Sequence, residues 1–116
     1  MKIAIIGSRD YENYTEMYNY IKSKININDI SKVVSGGARG ADAMGEWFAK
    51  ENNIKTEIYL PDWNKYGRGA GFVRNKQIIE NAEIIFAFLK NNSNGTKNSI
   101  MIARKLNRQL FVLNIK

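Results

Sequence analysis

Residues 83–89 read EIIFAFL, an almost unbroken apolar run that gives way at once to the polar stretch KNNSNGTKNS (90–99). A strand wetted on one face alternates apolar and polar residues, whereas one that is apolar throughout is covered on both faces. This segment therefore predicts a central strand of a parallel sheet with helices above and below it. KIAII (2–6), ending at Gly7, reads the same way and supplies the second central strand.

Working outward, strands and helices alternate. Asn13 with Glu16 resembles a capping box, after which Tyr14, Met17, Tyr18, Ile21 and Ile25 recur at helical spacing. KVVS (32–35) is a short strand, and Ala41, Met44, Gly45 and Phe48 give the next helix an inward face. TEIYL (56–60) alternates as an edge strand should, and Pro61 ends it. A long loop, PDWNKYGRGAGFVRN (61–75), leads to a helix that Arg74 and Asn75 begin and that runs to about Ala82. After EIIFAFL and its polar connection come a helix to about Asn107 and a last strand, LFVLNI (110–115). Such alternation implies βαβ units, and right-handed crossovers leave few topologies. The predicted fold is a single α/β domain over residues 1–116. It is a Rossmann-like, doubly wound parallel sheet of five strands in the order 3-2-1-4-5, with helices on both faces.

Composition narrows the chemistry. The 116 residues include no cysteine and no histidine, which excludes disulfides, thiolate or imidazole metal ligands and a Ser-His-Asp triad. No metal site is expected. The apolar run in MKIAIIGSRD (1–10) is too short for a signal peptide or a membrane span, so the expected location is cytoplasmic, without a membrane partner. The net charge of +7 is uneven: residues 1–60 hold eight basic and eight acidic side chains, residues 61–116 ten and three. That asymmetry favours an anionic partner, either a phosphorylated small molecule or a nucleic acid. Arg104, Lys105 and Arg108 fit a helix C-terminus, whereas Lys65, Arg68, Arg74, Lys76 and Lys97 flank glycine-rich stretches.

Four turns follow strands and should gather at one sheet edge, at the switch point where such sheets bind ligands. In GSRDY (7–11), Gly7 permits a sharp turn while Ser8 and Arg9 offer hydroxyl and guanidinium donors. In SGGARGAD (35–42), Ser35, Gly36, Gly37, Arg39 and Gly40 precede a helix whose free amides and dipole suit a phosphate. Asp42 is either a favourable carboxylate in a first helical turn, a ribose-hydroxyl acceptor or a partner that orients Arg39. In residues 61–75, Asp62 is a spare carboxylate, Trp63 and Tyr66 offer flat surfaces for a base, Gly71 adds freedom, and Arg74 with Asn75 could clamp a phosphate. The plainer alternative packs Trp63 and Tyr66 over an edge of the core. In NSNGTK (92–97), Asn94, Gly95 and Thr96 offer donors to a second phosphate or a ribose, or else Thr96 or Ser93 simply caps a helix.

The order of these motifs resembles the SLOG superfamily, which is named for the DNA-processing protein Smf (DprA) and the Lonely Guy phosphoribohydrolases. SGGARGAD followed by GFVRN (71–75) is most similar to its stand-alone YspA/YpsA-like branch. The resemblance implies a pocket for a nucleotide or nucleotide derivative, no obligatory cofactor beyond such a ligand, and a homo-oligomer. Lonely Guy-type hydrolases carry an arginine matched by Arg74 and a PGGxGTxxE motif. Gly95 and Thr96 match the GT of that motif, NNSN (91–94) replaces its PGG segment, and its glutamate falls on Ser99. Cleaving an N-glycosidic bond calls for a carboxylate, which Ser99 does not supply. The expected function is therefore binding of an ADP-ribose-like or other phosphoribosyl ligand without turnover. Superfamily domains of this kind serve as sensors beside immune effectors, and a lone one could instead sequester a signal nucleotide, as a phage would in countering defence. The alternatives are a nucleoside-monophosphate phosphoribohydrolase using Asp42 or Asp62, and a single-stranded-DNA-binding protein.

Overall fold

Five strands carry the predicted pattern in the computed structural model, which describes all of residues 1–116. They are β1 (Lys2–Gly7), β2 (Lys32–Ser35), β3 (Lys55–Ile58), β4 (Ile84–Lys90) and β5 (Gln109–Ile115). All pair in parallel, in the order β3-β2-β1-β4-β5. β1 and β4 are central, with Ile3 opposite Ile84 and Gly7 opposite Phe88. Five helices connect or flank them: α1 (Tyr14–Lys24), α2 (Ala41–Glu51), α3 (Trp63–Tyr66), α4 (Ala70–Glu80) and α5 (Asn94–Lys105).

Successive strand side chains point to opposite faces, and two cores result. On one face Ile3, Ile5, Phe86 and Phe88 meet Met17 and Ile21 of α1 and Phe48 of α2. On the other, Ala4, Ile6, Ile85 and Ala87 meet Ile78 and Ile79 of α4 and Ile100 and Ala103 of α5. A fully buried Ile or Phe contributes about 1.5–3 kcal/mol and a helix cap about 1 kcal/mol. Core packing therefore outweighs helix capping in holding these elements together.

Local features differ from the sequence reading in three places. Asn13 accepts the Glu16 amide at 3.1 Å as an N-cap, but the Glu16 carboxylate takes the Tyr11 hydroxyl at 2.8 Å rather than closing the capping box. Residues 61–75 are not a long loop. Asp62 caps α3, a 3-10 turn covers Gly67–Gly69, and α4 is under way by Ala70, so Arg74 and Asn75 lie inside the helix. Of the three glycines in this segment only Gly67 has a positive φ, so the others extend helical backbone instead of breaking it. Arg108 answers the C-terminal end of α4, not that of α5, by donating to the carbonyls of Ile79 and Glu80. No helix is long and apolar enough to cross a membrane.

Candidate functional site

The turns after β1, β2 and β4 and the first turns of α2, α4 and α5 border one cleft of about 500 Å³ at the carboxyl ends of the strands. Its position is the topological switch point, where β1 lies between β2 and β4. Ile6 and Ile78 give it an apolar floor, and Arg9, Arg39, Arg74 and Lys90 outnumber the carboxylates Asp10 and Asp42 on its walls. α2 begins at Gly40 with no side-chain cap; the Ala41 amide donates to the Ser8 carbonyl at 3.1 Å, and the positive end of the helix dipole borders the cleft. Ser93 caps α5 by accepting the Thr96 amide at 3.3 Å.

Arg74, Asp42 and Gly36 form the centre. The Arg74 guanidinium donates through Nη1 to the Gly36 carbonyl at 2.7 Å and through Nε to Asn75 Oδ1 at 3.2 Å. Three of its five N–H groups remain. Asn75 is itself held, donating to Asn98 Oδ1 at 3.2 Å and the Gly95 carbonyl at 3.4 Å, so it ties α4 to α5 while fixing Arg74. The Asp42 carboxylate accepts the Ala38 amide at 3.3 Å. Burial pushes its pKa up to about 6, against the lowering pull of the Ala38 and Gly36 amides and the Arg74 charge. Burial likewise holds Arg74 below its usual value, with Asp42 opposing that shift and Arg9 adding to it. A Cβ on Gly36 would lie 2.6 Å from Arg74 Nη1 and 2.7 Å from Asp42 Oδ2. The missing side chain is what lets both charged groups approach this turn.

Of the residues singled out from sequence, Gly7, Ser8, Arg9, Arg39, Asp42, Gly71, Arg74, Asn75, Gly95 and Thr96 border the cleft. The Ser8 hydroxyl is already engaged, donating to the Lys90 carbonyl at 2.9 Å and accepting the Lys90 amide at 2.8 Å. It extends the β1–β4 ladder instead of standing free. Asp42 faces Arg74 and the Ala38 amide, so of the three roles open to it from sequence the pairing with Arg39 is not formed. Ser35 is buried and donates to the Ile5 carbonyl at 2.7 Å. Gly36 stands behind Arg74, and Gly37 faces Ile58 and Leu60. Gly40 packs on the backbone of Ser8 and Arg9. Asp62 caps α3 through the Lys65 amide at 3.1 Å. Trp63, Tyr66 and Asn94 are exposed and stand outside the cleft lining.

Sequence reasoning missed Asp10, Lys90 and Asn91. Lys90 Nζ donates to the Asp10 carbonyl at 3.2 Å, and the Asn91 amide donates to the Asp10 carboxylate. These contacts join residues eighty apart, and no local pattern signals them. Phe72 was also missed, although it sits inside a motif already marked, whereas Ser93 has the capping role that its sequence offered. Ser99 borders the cleft as well.

A model of the YspA, cpYpsA-related SLOG family matches residues 1–66, more than half of the chain. Gene 61 protein of Mycobacterium phage D29 is 29% identical over 111 residues, which cover 90% of this chain and 89% of the phage protein. Among solved structures, DNA processing protein A (DprA) from Streptococcus pneumoniae superposes with a TM-score of 0.77 at 20% identity, over 96% of this chain and 49% of that one. DprA from Helicobacter pylori, described for its single-stranded DNA binding mode, superposes with a TM-score of 0.74 at 21% identity, over 100% of this chain and 66% of that one. The chain thus spans about half of the one structure's length and about two thirds of the other's, and at such identities the likeness is one of fold.

Proposed function

The chain belongs to the YspA, cpYpsA-related SLOG family, and from that premise we propose that it binds a nucleotide-derived, phosphate-bearing ligand without turning it over. The observation that carries this reading is the convergence of Arg9, Arg39, Arg74 and Lys90 with the amino ends of α2, α4 and α5 on one cleft. Guanidinium groups and helix amides are the donors that a phosphate accepts best. The volume, about 500 Å³, lies within the range of small-molecule sites. Binding without turnover is supported by Ser99, which borders the cleft and stands at the sequence position that the hydrolase motif gives to its glutamate. A sensing role and a sequestering role use the same cleft, and the phage-encoded relative supports the second.

The test is calorimetry or native mass spectrometry with a panel that includes adenosine monophosphate and ADP-ribose. Arg74→Ala removes a charge-assisted donor, worth about 1.5–3 kcal/mol, and should weaken binding roughly 10- to 150-fold. Gly36→Ala should weaken it too, because the new methyl displaces the guanidinium and the Asp42 carboxylate. Those contacts are with the far ends of side chains, so the melting temperature should stay close to that of the parent. Unchanged affinity in both variants rejects the assignment.

A second reading, single-stranded DNA binding, draws on the net charge of +7 and on the Helicobacter pylori DprA structure. It requires strand affinity that collapses as salt rises.

A further inference from the structure

Phe72 is the one aromatic side chain on the cleft wall, and it is the exception among the five phenylalanines. Phe48, Phe86 and Phe88 are fully buried and Phe111 stacks on Phe86, whereas Phe72 is 55% exposed and packs against no other ring. Helical geometry explains what it faces. At about 100° per residue, Gly71, Asn75 and Ile78 fall on one stripe of α4, and all three border the cleft. Arg74 projects from one margin of that stripe and Phe72 from the other. Gly71 lies at the stripe's end, and a Cβ placed there would meet nothing within 4 Å, so the space between the two margins is open. One margin of the stripe is cationic and hydrogen-bonding; the other is a flat apolar face.

We propose that Phe72 is a stacking shelf for a nucleobase, so that the ligand carries an aromatic base as well as a phosphate, and that Trp63 and Tyr66 take no part in holding it. This rests on the nucleotide-binding reading above and specifies it. A phosphate held at Arg74 leaves the sugar over the Gly71–Asn75 stripe and the base against Phe72. A bare sugar phosphate would fill the cationic side alone and leave the ring in water.

The test compares adenosine monophosphate with ribose 5-phosphate, which lacks the base, by calorimetry on the full chain. The parent protein should prefer the nucleotide. Phe72→Ala should lower nucleotide affinity about 5- to 150-fold, the range for one aromatic–base stack, and leave ribose 5-phosphate affinity unchanged. Phe72→Tyr should restore nucleotide binding. Because the ring is mostly exposed, the variants should melt within a few degrees of the parent, which thermal unfolding checks. Equal parent affinity for the two compounds, or nucleotide affinity indifferent to Phe72→Ala, overturns the shelf while the phosphate site stands. A Phe72→Ala variant that changes only its sedimentation also overturns it, by making Phe72 a contact between copies. If neither compound nor ADP-ribose binds the parent, the nucleotide reading falls and the shelf with it.

Discussion

Asp42 is destabilising where it stands. Its carboxyl holds a proton up to about pH 6 in the folded chain, chiefly because burial disfavours the charge, while the ordinary value is 3.8. Between those values the folded state is protonated and the unfolded state is not. Stability therefore declines as pH rises from about 4 to about 6 and levels off above. Two pKa units correspond to about 3 kcal/mol, a large share of a small domain's stability. Asp42→Asn keeps an oxygen to accept the Ala38 amide and removes the ionisable group. Its melting temperature should exceed the parent's by several degrees at pH 7.5 and converge with it near pH 4. Differential scanning fluorimetry across that range measures the gap, and a variant that melts lower than the parent at pH 7.5 contradicts the account. A carboxylate retained at such a cost, beside Arg74 and on the cleft wall, fits a site in which charge serves binding and not folding.

At the scale of elements, the decisive joint is the docking of α2 on the turn after β1. Gly40 has φ +75°, and a Cβ there would fall 2.4 Å from the Arg9 carbonyl oxygen and 2.5 Å from that of Ser8. The Ala41 amide donates to the same Ser8 carbonyl at 3.1 Å. Backbone cannot move aside as a side-chain tip can, so Gly40→Ala should cost more than about 2 kcal/mol. Gly36→Ala, whose Cβ meets only side-chain tips, should cost little. Equal melting temperatures for the two variants would remove the distinction. Within SGGARGAD, then, Gly40 seats a helix and Gly36 admits Arg74. From sequence the two were indistinguishable, because the difference lies in what approaches from residues 9 and 74. The strands were legible because uninterrupted apolar runs and valine pairs mark burial on two faces. Arg9, Arg39, Arg74 and Thr96 were legible as cleft residues because the fold brings every strand-end turn to one edge. Trp63 and Tyr66 were not, since a four-residue helix carries them along the outside. Phe72 was hidden by reading residues 61–75 as loop, where no helical face could be assigned to it.

For the whole molecule, the question is whether the charge of +7 acts locally or as a surface field. Only Arg74 and Lys90 of the ten basic residues beyond position 60 border the cleft; Lys97, Arg104 and Lys105 line a groove between α5 and β5. Binding that depends on the diffuse charge should follow counterion release, with log K falling about 0.7 per phosphate neutralised on a single strand for each tenfold rise in salt. An oligonucleotide touching four phosphates would then lose roughly 100-fold in affinity between 50 and 300 mM salt. A nucleotide seated against the half-buried Arg74 and the amino end of α2 makes one or two phosphate contacts that are partly shielded from solvent ions. It should lose no more than about tenfold over the same interval. Titrating adenosine monophosphate and a thymidine oligonucleotide in parallel separates the two cases. A shallow slope for the nucleotide, abolished by Arg74→Ala, places recognition in the cleft. Nucleotide binding absent at every salt concentration, beside a steep oligonucleotide slope, would mean that the protein reads strands through its surface field and that the cleft is not its binding site.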